Sequence, residues 1–122
     1  MTKTIMIVDD SASLRQVVGI SLRGAGYDVI EACDGIDALA KLKGQKVHLL
    51  ISDVNMPQMD GISLVKAVKQ MAPYRFTPIV MLTTESQDEK KRQGQEAGAK
   101  AWVVKPFKPD QLMAVVQKLV LA

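Results

Sequence analysis

A chain of 122 residues, 48% apolar and 24% charged with a net charge of +3, has the length of one domain and enough apolar content for one continuous core. A single cysteine, Cys33, excludes an internal disulfide and suits a reducing cytosol, where it reads as a small structural residue. Met1-Thr2-Lys3 leads into an apolar stretch that two aspartates close, too short for a signal h-region or a membrane span.

The basic balance raises nucleic-acid binding, but aromatics make up only 4% of the chain and show no base-stacking pattern. The Lys90-Lys91-Arg92 run follows Asp88 and Glu89, so a solvated helix face accounts for it better. The expectation is a cytoplasmic monomer with neither a nucleic-acid nor a membrane partner.

Strand-like and helix-like segments alternate five times. The first apolar run, 4–8, ends in Asp9-Asp10. Helical spacing follows, with Leu14, Val17, Val18 and Leu22 on one face and Gly24 and Gly26 to stop it. A second run, 27–31, and another helical stretch lead to the third, 47–52. Asp53 closes this one, ahead of a loop containing Asn55-Met56-Pro57. Ile62, Leu64, Val65, Val68 and Met71 mark the next helix, which ends before Pro73. The fourth run, 78–83, ends at Thr83-Thr84.

Ser86-Gln87-Asp88-Glu89 matches a capping box and specifies a helix start. From Ser86 to Glu96, however, there is no large apolar residue, and Gly94 interrupts the segment. A helix that buries so little is expected to be the least anchored of the fold. The fifth run, 100–104, contains Trp102 and ends in Lys105-Pro106. Pro109 then opens a last helix bearing Leu112, Val115, Val116 and Leu119.

Alternation of this kind implies right-handed crossovers and a single doubly wound α/β domain over 1–122, with five parallel strands covered by helices on both faces. In such sheets, ligands bind beyond the carboxyl ends of the strands, where the strand order reverses. Asp9, Asp10, Asp53, Lys105 and the hydroxyl of Thr83 or Thr84 would meet at that edge. Carboxylates this close repel one another, and a hard divalent cation relieves the repulsion. Mg²⁺ suits the set, because it takes one or two protein carboxylates and completes its octahedron with water and phosphate oxygens. Asp53 can also act as a nucleophile toward phosphorus, with Lys105 and the hydroxyl stabilising the transferred group.

Taken together, Asp9-Asp10, Asp53 with Met56-Pro57 and Asp60-Gly61, Thr83-Thr84-Glu85 and Lys105-Pro106-Phe107 resemble the receiver domain of bacterial response regulators. The resemblance covers essentially the whole chain and is nearest to the stand-alone chemotaxis regulators of the CheY type. It implies a flavodoxin-like fold with strand order 2-1-3-4-5 and a cis Lys105-Pro106 bond. Asp53 would accept a phosphoryl group from a histidine kinase of the chemotaxis type. Asp10, Asp53 and the backbone carbonyl of Asn55 would bind Mg²⁺ directly, while Asp9 would hold a metal-bound water. Thr83 would move to the phosphoryl oxygen on activation, and Lys105 would pair with it. The switch and output positions would include Thr83, Trp102 and Phe107, on a face made by the fourth helix, fifth strand and fifth helix. The flagellar motor switch protein and a phosphatase are the implied further partners. Turnover would be limited to self-catalysed phosphoryl transfer and autodephosphorylation.

Three other readings compete. Aspartyl-phosphate phosphatases use Asp-x-Asp, whereas the second position here is Asn55, which cannot titrate, so a phosphate stored for a time fits better. A flavin-binding carrier of the same topology needs a hydroxyl-rich phosphate loop where Asp9-Asp10 would repel phosphate. A receiver acting away from the motor, as a phosphate sink or accessory regulator, is favoured by the fourth helix. That helix offers charged Asp88, Lys91 and Arg92 where a binding hot spot would need an apolar centre.

Overall fold

The β-branched and aliphatic runs form the five strands: β1 Thr4–Val8, β2 Asp28–Ala32, β3 Leu49–Asp53, β4 Ile79–Thr83 and β5 Ala101–Val104. Five helices connect and follow them: α1 Ala12–Gly24, α2 Gly35–Leu42, α3 Gly61–Gln70, α4 Asp88–Ala97 and α5 Pro109–Val120. The structure, a computed structural model, describes residues 3–54, 56, 59–83 and 88–120, with Asp88 and Lys90 described by their backbone alone.

The strands pair in parallel in the order β2-β1-β3-β4-β5, as the resemblance implies. The apolar run 4–8 coincides with β1, and the others lie within one or two residues of the observed bounds. All five residues of β3 and all five of β4 are buried, which is why both read as continuous apolar runs and not as an alternation.

Alternate strand residues feed two separate cores. Met6, Val8, Leu50, Ile79 and Met81 pack with Ala38 and Leu42 of α2 and with Leu64, Val65 and Val68 of α3. Ile5, Ile7, Leu49, Ile51, Val80, Leu82 and Val103 pack on the other face with Val18 and Leu22 of α1 and Leu112 and Val116 of α5. With α1 and α5 on one face and α2 and α3 on the other, the chain changes side beside β1. The point where the strand order reverses therefore lies between β1 and β3.

Local chemistry fixes the helix starts. The Ser11 hydroxyl accepts from the Leu14 amide at 3.2 Å, Asp34 from the Asp37 amide at 2.8 Å, and Asp60 from the Ser63 amide at 2.8 Å. Gly26, at φ 97°, reverses the chain after α1 where an L side chain would be strained. Ser86 and Gln87 of the expected capping box lie outside the described residues.

Two features were not legible beforehand. Gly94 is buried in α4, and a Cβ built on it would sit 2.6 Å from Cζ3 of Trp102, so the glycine is a notch that admits the indole. The helix that supplies no large apolar side chain is thus packed by one from β5. Lys69, near the end of α3, donates to the carbonyls of Arg75 at 3.1 Å and Thr77 at 2.6 Å, tying α3 to the approach to β4. Burial pushes its ammonium pKa down, and Lys100 adds to the shift.

Candidate functional site

The carboxyl ends of β1, β3, β4 and β5 carry the residues singled out from the sequence. Register explains why they meet: Val8 pairs with Ser52, so Asp9 stands beside Asp53, and Thr83 pairs with Val104, so Lys105 follows at the same level. Asp9, Asp10 and Asp53 each offer a carboxylate oxygen, and these oxygens all lie within 4.8 Å of one another. Asp9 and Asp53 are buried, whereas Asp10 is exposed. Hard oxygen donors at this spacing, open to solvent through Asp10, fit Mg²⁺ and leave room for its waters.

Lys105 reaches into the cluster. Its Nζ lies 3.0 Å from Asp9 Oδ2 and 3.4 Å from Asp53 Oδ2. The side chain of Asp9 is 0% exposed and that of Lys105 20%, so the pair is weakly screened by solvent. Asp9 also accepts the Ser11 amide on Oδ1 at 2.8 Å, which occupies its second oxygen and fixes its rotamer at the entry to α1. Among the described residues, one ammonium faces three carboxylates, a negative excess that a divalent cation would reduce.

Asp53 is positioned from behind. The Val54 amide donates to the Leu82 carbonyl at 2.9 Å, and the Gly61 amide donates to the Val54 carbonyl at 2.8 Å. α3 thus starts hard against the end of β3. Gly61 has to be a glycine here, because an added Cβ would stand 2.2 Å from the Asp53 carbonyl oxygen. The sequence showed Gly61 only as part of a motif; its close approach to Asp53 is a finding of the structure.

Thr83 is fully buried at the end of β4. Met81 pairs with Trp102, so Thr83, two residues on, projects from the same face of the sheet as the indole. Trp102 is half-buried against the core under α3 and α4. Phe107 lies on the opposite side, packed on the core beneath α1 and α5. The structure therefore brings Thr83 and Trp102 to one face and keeps Phe107 apart from them. Asn55, Pro57, Thr84 and Glu85 lie outside the described residues. The Lys105-Pro106 bond is cis, as the resemblance implies.

Of the charged run on α4, Lys91 and Arg92 are exposed as expected, and Arg92 pairs with Glu89 at 2.8 Å. An exposed pair like this contributes little to stability. Cys33 is exposed in the turn before α2, its amide donating to Asp37 Oδ2 at 3.0 Å. No described helix is long and apolar enough to cross a membrane. An apolar groove of about 510 Å³ between α1 and α5, lined by Leu14, Val17, Leu112 and Met113, ends on Lys105 and Pro106. The acids are not among its walls, so it adjoins the site without containing it.

A five-stranded parallel sheet with three aspartates and a lysine at the β1/β3 switch point defines a class, and the sequence comparison gives the same one. Residues 5–117 match the response regulator receiver domain family, and the chain belongs to it: it is the receiver domain of a two-component response regulator. Among solved structures, chemotaxis protein CheY4 of Vibrio cholerae is similar at 48% identity and a TM-score of 0.94, over 98% of this chain and 99% of that one. Chemotaxis protein CheY1 of Helicobacter pylori is 38% identical over 110 residues, 88% of this chain and 89% of that protein. The alkaline phosphatase synthesis transcriptional regulatory protein PhoP of Bacillus subtilis is also 38% identical, over 98% of this chain, which spans only 49% of PhoP's length.

Proposed function

We propose that this chain is a phosphorylation-activated regulator of the chemotaxis type, taking a phosphoryl group on Asp53 from a histidine kinase. The observation that carries the reading is the meeting of Asp9, Asp10 and Asp53 with the Lys105 ammonium at one sheet edge. Similarity to CheY4 and CheY1 over nearly their whole lengths supports the chemotaxis assignment.

In the proposed step, a carboxylate oxygen of Asp53 attacks the phosphorus of a phosphohistidine. The P–N bond breaks, its electron pair stays on the imidazole nitrogen, and an acyl phosphate remains on Asp53. Mg²⁺, when bound by Asp10, Asp53 and the Asn55 carbonyl with Asp9 holding a bound water, would neutralise charge on the phosphoryl oxygens. Lys105 already lies 3.4 Å from Asp53 and would shift its partnership from Asp9 toward a phosphoryl oxygen. The Thr83 hydroxyl would donate to another. Asn55 offers no second carboxylate to act as acid or base, which favours a phosphate held long enough to signal.

The output face would be α4, β5 and α5. Thr83 and Trp102 share a sheet face, and Trp102 fills the notch at Gly94. Drawing the Thr83 hydroxyl toward Asp53 would open space beside the indole and re-seat α4, the helix with least burial of its own. A flagellar motor switch protein, a phosphatase or another accessory partner would read that face. The exposed side chains described on α4 are charged or polar, which favours a partner with complementary charge. The protein would act in the cytoplasm as a monomer.

A phosphate mimic such as beryllofluoride, added with Mg²⁺, tests this directly through Trp102, the only tryptophan. Its emission should change in the wild type. Thr83→Ala should bind the mimic yet change less. Identical responses would show that switching does not run through Thr83.

A further inference from the structure

Arg15, at the end of the first turn of α1, faces the back of the acidic site. Its Nη1 donates to the backbone carbonyl of Asp9 at 2.5 Å, and its Nε lies 3.5 Å from Glu31 Oε1 on β2. The Arg15 side chain is only 18% exposed. Glu31 is itself held: Arg23 reaches its other oxygen at 3.4 Å by folding across Gly19, and Lys41 donates to its carbonyl at 2.7 Å. Arg15 is thus a two-point strut between β2 and the end of β1.

The carbonyl that Arg15 grips is half of the peptide joining Asp9 to Asp10. Asp9 needs little help, since its amide donates to the Ala32 carbonyl at 3.1 Å and both carboxylate oxygens are engaged, by the Ser11 amide and by Lys105. Asp10 differs. It is exposed, and among the described residues its carboxylate accepts no hydrogen bond. Its backbone is therefore what holds it, and the Asp9–Asp10 peptide plane sets the position from which its side chain starts.

We infer that Arg15, anchored by Glu31, is a positioning residue that fixes the Asp9–Asp10 peptide and so aims the Asp10 carboxylate at the metal position. This rests on the reading of Asp9, Asp10 and Asp53 as a Mg²⁺ site. Outer partners that orient ligands in this way commonly change metal affinity by 10–100-fold. The alternative is that Arg15 acts only as a nearby positive charge. The two differ in sign. A bare charge repels Mg²⁺, so its removal would tighten binding, whereas loss of a strut weakens it.

The test is Mg²⁺ titration by calorimetry, with amide NMR of the metal-free protein, on wild type, Arg15→Lys, Arg15→Ala and Glu31→Gln. Arg15→Lys keeps the charge and loses the fork, and it should weaken Mg²⁺ binding about tenfold. Glu31→Gln should weaken it less, in the same direction. In the absence of metal, the Asp10 amide resonance should shift or broaden in Arg15→Lys while amides of β3 and β4 stay in place. Wild-type affinity in Arg15→Lys, or tighter binding in Arg15→Ala, would overturn the inference. So would an unmoved Asp10 amide. A wild-type protein that binds no Mg²⁺ would instead defeat the metal reading, and the Asp10 amide would still decide whether Arg15 is the strut.

Discussion

Lys105→Met should lower the melting temperature of the metal-free protein by about 10 °C. Asp9 is 0% exposed, and its Oδ2 faces the ammonium at 3.0 Å. Removing one partner of a buried ion pair leaves the other charge desolvated and uncompensated, at a cost of about 3–5 kcal/mol. We take the lower figure, because Lys105 is 20% exposed and water can partly replace it. About 3 kcal/mol corresponds to roughly 10 °C in a domain of this size. Asp10→Asn should act in the opposite direction. Asp10 is the exposed member of the cluster and has no ion pair among the described residues, so neutralising it relieves repulsion and should raise the metal-free melting temperature. The same variant should bind Mg²⁺ more weakly and gain less from it. A destabilised Asp10→Asn would mean that repulsion does not dominate, and a neutral Lys105→Met would mean that the Lys105–Asp9 ion pair does not hold the metal-free fold together. Thermal melts in EDTA and in millimolar Mg²⁺ separate these outcomes.

Gly61→Ala should be the most damaging of the glycine-to-alanine changes. The new Cβ would stand 2.2 Å from the Asp53 carbonyl oxygen and 2.9 Å from Val54 Cα, both backbone atoms that no rotamer change can move aside. Either α3 lifts off the end of β3, breaking the Gly61 amide's bond to the Val54 carbonyl, or Asp53 is displaced. Overpacking of this kind costs about 1–3 kcal/mol or more, and the structural change falls on the proposed phosphoacceptor. Stability and labelling by an acyl phosphate should therefore fall together. Gly24→Ala is the control: nothing lies within 4 Å of its added Cβ, so the change should be neutral or slightly stabilising. Equal effects at the two glycines would remove the steric argument.

Much of the fold was legible because its central strands are buried on both faces. Runs such as Ile79–Thr83 have no periodicity to misread, and their spacing with helices leaves one parallel architecture. The acids and Lys105 were legible for a related reason: charged residues that close apolar runs can only lie at strand ends. What remained hidden was three-dimensional complementarity. Gly94 looked like an interruption of a polar helix, and only the placement of Trp102 against it shows the notch. Gly61 gave no sign of how closely α3 approaches Asp53. Arg15 was one basic residue on a helix face until its guanidinium was seen on the Asp9 carbonyl. The strand order came from family resemblance, because several orders satisfy the same alternation of elements.

The similarities divide by architecture. CheY4 and CheY1 match this chain over nearly all of their own length, whereas PhoP shares with it about half. What they have in common with this chain is the receiver region, where the proposed chemistry at Asp53 lies. The proposed output face of α4, β5 and α5 therefore depends on the proposed link between Thr83 and Trp102, which share a sheet face, while the proposed chemistry at Asp53 does not.

Mapping the modified residue is the most direct test of that chemistry. The protein is incubated with a small acyl phosphate and Mg²⁺, digested under mildly acidic conditions, and its peptides are analysed by mass spectrometry. The phosphoryl group should be found on Asp53, be lost entirely in Asp53→Asn, and be absent when EDTA replaces Mg²⁺. A phosphopeptide that lacks Asp53, or labelling that persists unchanged in Asp53→Asn, would contradict the account at its centre.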